Sequence, residues 1–338
     1  MVASYYLLKP LYSLCWRVLN IIKPRTETVF YCHSAVDLQN WLPVQKHLKP
    51  IAIVSDKANT RKDLRQMGYQ VRALPAFPKA VIMCRVAAHK FPSRKVIKIG
   101  MTHGAYHFKR FPKAANYNLF DLYLFTSQQD LANAVKLGVK CGKVGGYPKL
   151  DPYLSVHQAD AMPKATPRLL FTATYDGSGM SAINLWLEHL AQLSGKYEVS
   201  VSLHPWMSKD IKARVAAMPG ICYVGDNPLP SISKADVCVV DSSSVIAEIC
   251  ALDKAMISWI LPPSPRSVAE ITEILERCSI RISSFDELEE AIKQALSHPG
   301  QHQEERAKAS RIFFDHLDGQ AGQRSAEHII KLLPELVL

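Results

Sequence analysis

The sequence predicts an α/β chain of two doubly wound, Rossmann-like parallel-sheet domains in tandem. Three observations lead there. Short apolar runs alternate with helix-like segments through both halves of the chain, the pattern of βαβ units. A polar stretch at 151–167, carrying Pro163 and Pro167 and no clear periodicity, separates the halves as a linker. Residues 237–260 read as strand, tight polar turn, helix and strand. With 338 residues, 48% of them hydrophobic, the chain can fill two ordinary cores. The expected parts are a helix over 1–24, a first domain over 26–155, a second over 165–310, and C-terminal helices over 311–338 that pack back on the first.

The first 25 residues are basic and contain no acid. Lys9, Ser13, Arg17 and Asn20 recur at helical spacing as one polar stripe, and Leu11, Leu14, Trp16, Val18, Leu19, Ile21 and Ile22 cover the rest. Pro10 suits a first-turn position, and Pro24 ends the pattern. Lys9 and Arg17 leave no apolar run near the ~20 residues a spanning helix needs, and no small-residue cleavage site marks a signal peptide. Two readings stay open: a helix lying in the plane of an anionic membrane surface, or one packed on its own domain.

Strand candidates in the first half are 29–32, 51–55, 71–74, 96–99 and 122–125, with crossover helices at 37–48, 60–67 and 128–137. In the second half, strands at 168–172, 199–203, 221–224, 237–240 and 256–260 alternate with helices at 181–193, 208–217, 245–252 and 285–296. Ligands of such folds bind outside the carboxyl ends of the strands.

Forty-one Lys and Arg against 30 Asp and Glu give a net charge of +11, which calls for an acidic partner. The basic residues are scattered and carry no nucleic-acid-binding motif, so no nucleic acid is expected. Eight cysteines contain no C-x-x-C pair and read as reduced core residues of a cytosolic protein. His103 and His107 stand at i, i+4 without the Glu or third ligand of a metal motif, so no metal is expected.

Within 237–260, the apolar run ends at Asp241, and Ser242, Ser243 and Ser244 stand at the helix start, where unpaired N–H groups and the dipole attract an anion. Plain capping by a serine or by Asp241 is the alternative. Glu248, one turn on, faces the same ligand and suits a ribose hydroxyl. Two histidines end strands: His103, followed by Gly104, which lets a ligand approach the backbone, and His204, followed by Pro205.

The run 241–257 resembles the C-terminal signature of the CDP-glycerol glycerophosphotransferase family, the teichoic-acid primases and polymerases. Met101-Thr102-His103-Gly104 resembles that family's HG motif, Gly146-Tyr147-Pro148-Lys149-Leu150-Asp151 its G-x-P-R/K-x-D motif, His204-Pro205 its second histidine motif, and Asp318-Gly319 with Arg324 its closing motif. The matches keep the family's order from about 95 to 325. The resemblance implies the GT-B architecture, two Rossmann-like domains facing across a cleft. It implies transfer of glycerol phosphate, or a related alditol phosphate, from a CDP-activated donor to a hydroxyl of an envelope glycan or lipid-linked acceptor at the cytoplasmic face of the membrane. CMP leaves, and neither metal nor cofactor is required.

One histidine is then the base and the other a phosphate binder, with His103 assigned as base and His204 as donor-phosphate ligand. Ser242, Ser243, Ser244, Asp241, Glu248, Gly104, Lys149 and Arg324 form the donor-binding set. Lys149 and Asp151 either close over phosphate and ribose or brace the hinge; Asp318 and Arg324 either bind donor phosphate or tie the last helix to the first domain. Ala105 departs from the family, where Thr is common, and the single-module length suggests a priming or decorating transferase. The other readings are a GT-B glycosyltransferase or sugar-nucleotide epimerase, and a basic adaptor that binds anionic polymer.

Overall fold

The computed structural model describes residues 1–104, 113–154, 166–264 and 269–338. The central part of the expected linker, together with Ala105 and His107, therefore lies outside the described residues. The chain forms two compact units, Met1–Pro152 with Phe313–Leu338, and Tyr153–Ile312. The first unit is thus discontinuous in sequence, its first segment ending at Pro152.

The first unit holds seven parallel strands: β1 (Thr28–Tyr31), β2 (Ala52–Ser55), β3 (Val71–Ala73), β4 (Ala80–Met83), β5 (Ile97–Met101), β6 (Leu122–Phe125) and β7 (Gly142–Val144). Their order is β3-β2-β1-β4-β5-β6-β7, so the winding reverses between β1 and β4. The second unit holds β8 (Arg168–Ala173), β9 (Glu198–Leu203), β10 (Ile221–Tyr223), β11 (Val237–Val240), β12 (Ala255–Trp259) and β13 (Ile280–Ile282). Its order, β10-β9-β8-β11-β12-β13, reverses between β8 and β11. Strands buried on both faces explain the unbroken apolar runs, for example Val237–Val240 and Leu122–Phe125, buried throughout.

Three strands escape the sequence reading. β4 sits between a Pro-rich approach and Cys84, β7 is a glycine-led edge strand, and β13 is an edge strand interrupted by Arg281. The helix expected over 181–193 is instead a short helix, Ile183–Trp186, and a 3₁₀ turn, Leu190–Leu193.

The N-terminal helix spans Val2–Ile22, so Pro10 lies inside it rather than in its first turn. An interior proline costs about 3 kcal/mol, and three aromatic anchors onto the first unit offset it. Tyr5 is buried, the Tyr12 hydroxyl donates to the Ala76 carbonyl, and Trp16 Nε1 donates to the Pro78 carbonyl at 2.8 Å. Ser13, from the polar stripe, donates to Ser93. The far side carries Leu7, Leu11, Leu14, Val18, Ile21 and Ile22, all exposed. Among the described residues no helix is long and apolar enough to cross a membrane.

The helix Ala321–Leu332 returns to the first unit. Gly322 makes this possible: a Cβ there would stand 2.3 Å from the Pro43 carbonyl oxygen of the helix Asp37–Gln45. The Asp151 carboxylate accepts the Ala321 and Gly322 amides at 3.1 and 2.7 Å, capping this helix from 170 residues away.

Candidate functional site

In the second unit the site grows from the reversal point between β8 and β11, where open α/β sheets receive ligands. Asp241, directly after β11, is fully buried. Its carboxylate accepts from Thr174 N at 2.6 Å, Thr174 Oγ1 at 2.8 Å and Ala182 N at 3.3 Å, tying the loop after β8 to the turn after β11. Asp241 thus braces the turn that leads into the following helix. Ser244 occupies the N-cap position of the helix Val245–Ala251 yet makes no side-chain capping bond, and the buried Ser243 Oγ has no hydrogen-bond partner. The hydroxyls of these two serines are thus not committed to capping. Glu248 is buried on this helix, and its charge pushes the Tyr153 hydroxyl up, adding to the larger effect of burial.

His204 follows β9, beside β8 in the sheet. Its backbone N–H donates to Ala173 O at 3.2 Å, and its Nδ1 accepts the Trp206 backbone N–H at 3.0 Å. Because Nδ1 accepts, the neutral ring carries its proton on Nε2, and that nitrogen is a donor. Tyr175 and Trp206 pack around the imidazole with ring centroids 5.2 and 5.5 Å away, and 5.5 Å from each other. Trp206 is 71% exposed, an aromatic surface beside the histidine. Neither aromatic, nor Thr174, stands out in the sequence, although all three lie within three residues of a strand end.

In the first unit, Thr102 pins the turn after β5: its N–H and its hydroxyl both donate to Leu124 O at 3.1 Å. His103 then stands exposed, its carbonyl accepting Asn40 Nδ2 at 3.5 Å. A Cβ on Gly104 would meet nothing within 4 Å among the described residues. Lys149 is buried on the turn Pro148–Leu150. Gly146 is left-handed at φ +87°, and a Cβ there would stand 2.8 Å from Ala321 Cβ, so the glycine pair admits the C-terminal helix.

Arg324 Nη1 bonds both Asp318 oxygens, at 2.9 and 2.7 Å. That bond holds the Asp318 carboxyl below the usual carboxylate range, against burial. The charge of Arg324 is matched by a residue six positions before it, within the C-terminal segment of the first unit. The expected donor set thus separates into two groups, Asp241, Ser242, Ser243, Ser244, Glu248 and His204 in the second unit, and Gly104, Lys149 and Arg324 with His103 in the first.

No protein-family model and no curated protein matches the sequence. Among solved structures, a variant of the wall teichoic acid polymerase TagF is similar, with a TM-score of 0.71 and 14% identity over 97% of this chain and 93% of that chain. A UDP co-structure of S. aureus MnaA gives a TM-score of 0.61 at 13% identity over 93% and 98%, and a putative UDP-N-acetylglucosamine 2-epimerase from Listeria monocytogenes 0.59 at 12% over 92% and 97%. The architecture is therefore the GT-B type: two α/β units, each around a parallel sheet.

Proposed function

We propose that this chain transfers glycerol phosphate, or a related alditol phosphate, from a CDP-activated donor to a hydroxyl of an envelope glycan or lipid-linked acceptor, releasing CMP. The observation that carries the reading is the tautomer of His204: an imidazole with an Nε2 donor after β9, in the same sheet whose reversal point carries a serine turn with uncommitted hydroxyls after β11, suits a pyrophosphate. The similarity to TagF, a wall teichoic acid polymerase, supports it.

In this reading His103 takes the proton from the acceptor hydroxyl. The oxygen forms its bond to the phosphorus that bears the alditol, and the bond from that phosphorus to the CMP oxygen breaks. His204 and the serine turn meet the charge that gathers on the departing phosphate; alignment and charge neutralisation are what phosphoryl transfer needs. Glu248 binds ribose. The helix Val2–Ile22 lies on an anionic membrane at the cytoplasmic face, with Leu7, Leu11 and Ile21 in the acyl boundary and Lys9 and Arg17 at the headgroups.

The alternative is a nucleoside-diphosphate-sugar enzyme, glycosyltransferase or 2-epimerase, favoured by the similarity to MnaA and the Listeria epimerase. Incubation with a panel of CDP-alditols and UDP-sugars, followed by chromatography of the nucleotides, separates the two. CMP release from a CDP-alditol supports the first; UDP release or sugar epimerisation without nucleotide release replaces it.

A further inference from the structure

The first unit has its own reversal point, between β1 and β4, and the loops after its strands hold a bonded chain of five side chains. Lys57 Nζ lies 2.7 Å from His33 Nε2, His33 Nδ1 lies 3.4 Å from the Tyr31 hydroxyl, that hydroxyl donates to Asp56 Oδ1 at 2.7 Å, and Lys90 Nζ donates to Asp56 Oδ2 at 2.7 Å. Arg85, just beyond β4, donates to Asp37 at 3.0 Å and to Ser34 Oγ at 3.3 Å.

Charges within this chain do not balance. Asp37 answers Arg85 and Asp56 answers Lys90. Burial, Lys57 and Arg85 all lower the His33 imidazole below its ordinary value, so the ring is neutral near pH 7. Lys57 is left facing a neutral ring, and among the described residues no carboxylate pairs with it. The bonded chain fixes that ammonium at His33 in the loop after β1, while Arg85 reaches Ser34 of the same loop.

We propose that Lys57, oriented by the His33 ring, and Arg85 form an anion subsite at the β1–β4 reversal point, which takes a phosphate oxyanion of the acceptor; the word acceptor rests on the transferase reading above, but the anion site does not. A phosphate would bring the charge that the chain lacks. Two sources share this chemistry, the phosphate ester at the end of a growing alditol-phosphate chain and the pyrophosphate of a lipid carrier.

Calorimetric titration of the full chain, with CDP present throughout, tests the site without turnover. The probes are sn-glycerol 3-phosphate, farnesyl pyrophosphate and acetate. Loss of one charge-assisted bond predicts roughly 10- to 100-fold weaker phosphate-probe binding in Lys57→Gln. Lys57→Arg should stay within about threefold of the parent, and Lys62→Gln, in the helix Ala58–Gln66 that Lys57 precedes but outside the chain of bonds, should match it. Preference for glycerol 3-phosphate or for farnesyl pyrophosphate identifies the source. The site is overturned if Lys57→Gln binds both probes as Lys62→Gln does, if the parent binds neither, or if acetate competes equally. Such a result leaves CMP release untouched, whereas failure of the transferase reading would leave probe binding intact.

Discussion

The Trp206 backbone N–H donates to Nδ1 of His204 at 3.0 Å, so the residue two positions along the chain decides which imidazole nitrogen can serve a ligand. His204→Ala should weaken CDP binding by about 1.5 to 3 kcal/mol, the range for a hydrogen bond to a charged group. His204→Gln, whose amide can still donate from a similar distance, should recover part of that loss. Calorimetry with CDP reads both; equal affinity in parent and His204→Ala would remove the residue from the donor site.

Replacing His103 should separate chemistry from binding. Loss of a general base costs typically 10²- to 10⁴-fold in rate, so His103→Ala should bind CDP like the parent while releasing CMP slowly from CDP-glycerol. Turnover near the parental rate would show that another group takes the proton.

At the reversal point of the second unit, framework and ligand contacts are separable. Asp241→Ala strands the Thr174 amide and hydroxyl and the Ala182 amide, and should cost on the order of 3 kcal/mol in folding stability. The double change Ser243→Ala with Ser244→Ala breaks no capping bond, so it should leave the urea midpoint nearly unchanged and weaken CDP binding by roughly 1 to 3 kcal/mol. A fall in stability without a fall in affinity would assign the serines to the fold.

The N-terminal helix is better tested by its exposed face than by deletion, because removing it would uncover the surface that Tyr5, Tyr12 and Trp16 occupy. The triple change Leu7→Lys, Leu11→Lys, Ile21→Lys should keep the melting temperature and abolish sedimentation with phosphatidylserine vesicles. Since each basic residue near an anionic surface adds only about 1 kcal/mol, the added lysines cannot replace the lost apolar insertion. Undiminished sedimentation would refute membrane binding by this face.

Asp130 gives a pH prediction. Burial, reinforced by Asp315 and opposed by the Thr126 hydroxyl, pushes its carboxyl up to about 7. The folded value exceeds the unfolded one, so the folded state holds the proton more tightly, and stability present at low pH is lost between pH ~4 and about 7, at up to ~1.4 kcal/mol per unit. Asp130→Asn should flatten this slope. Parallel denaturation profiles for parent and variant between pH 5 and 7 would show that the carboxyl is ionised throughout.

Strands buried on both faces are legible because continuous apolar runs have few other uses; Val237–Val240 and Leu122–Phe125 could be read directly. Of the four edge strands β3 and β10 were read and the short β7 and β13, led by Gly142 and interrupted by Arg281, were not, while the buried β4 was hidden by its Pro-rich approach. At the site, His103 and His204 were visible as polar residues ending strands, and the serines as a polar turn before a helix. Asp241 was visible as a residue but not as a brace, because its partners Thr174 and Ala182 lie 67 and 59 positions away. The Lys57–His33–Tyr31–Asp56–Lys90 chain stayed hidden for the same reason: it joins loops after three strands whose neighbourhood only the topology reveals.

Asp151 and the amides of Ala321 and Gly322 set an order of events during synthesis. A nascent chain that has emerged as far as Ile312 holds every strand of both sheets, yet the helix Asp37–Gln45 still lacks the surface that Gly322 brings against Pro43, and the Asp151 carboxylate still lacks its two donors. The second unit is in effect an insertion that must be translated before the first can close. Vectorial folding, in which an N-terminal domain completes itself while the rest is being made, is therefore denied to this protein: its first body to appear is its last to be finished.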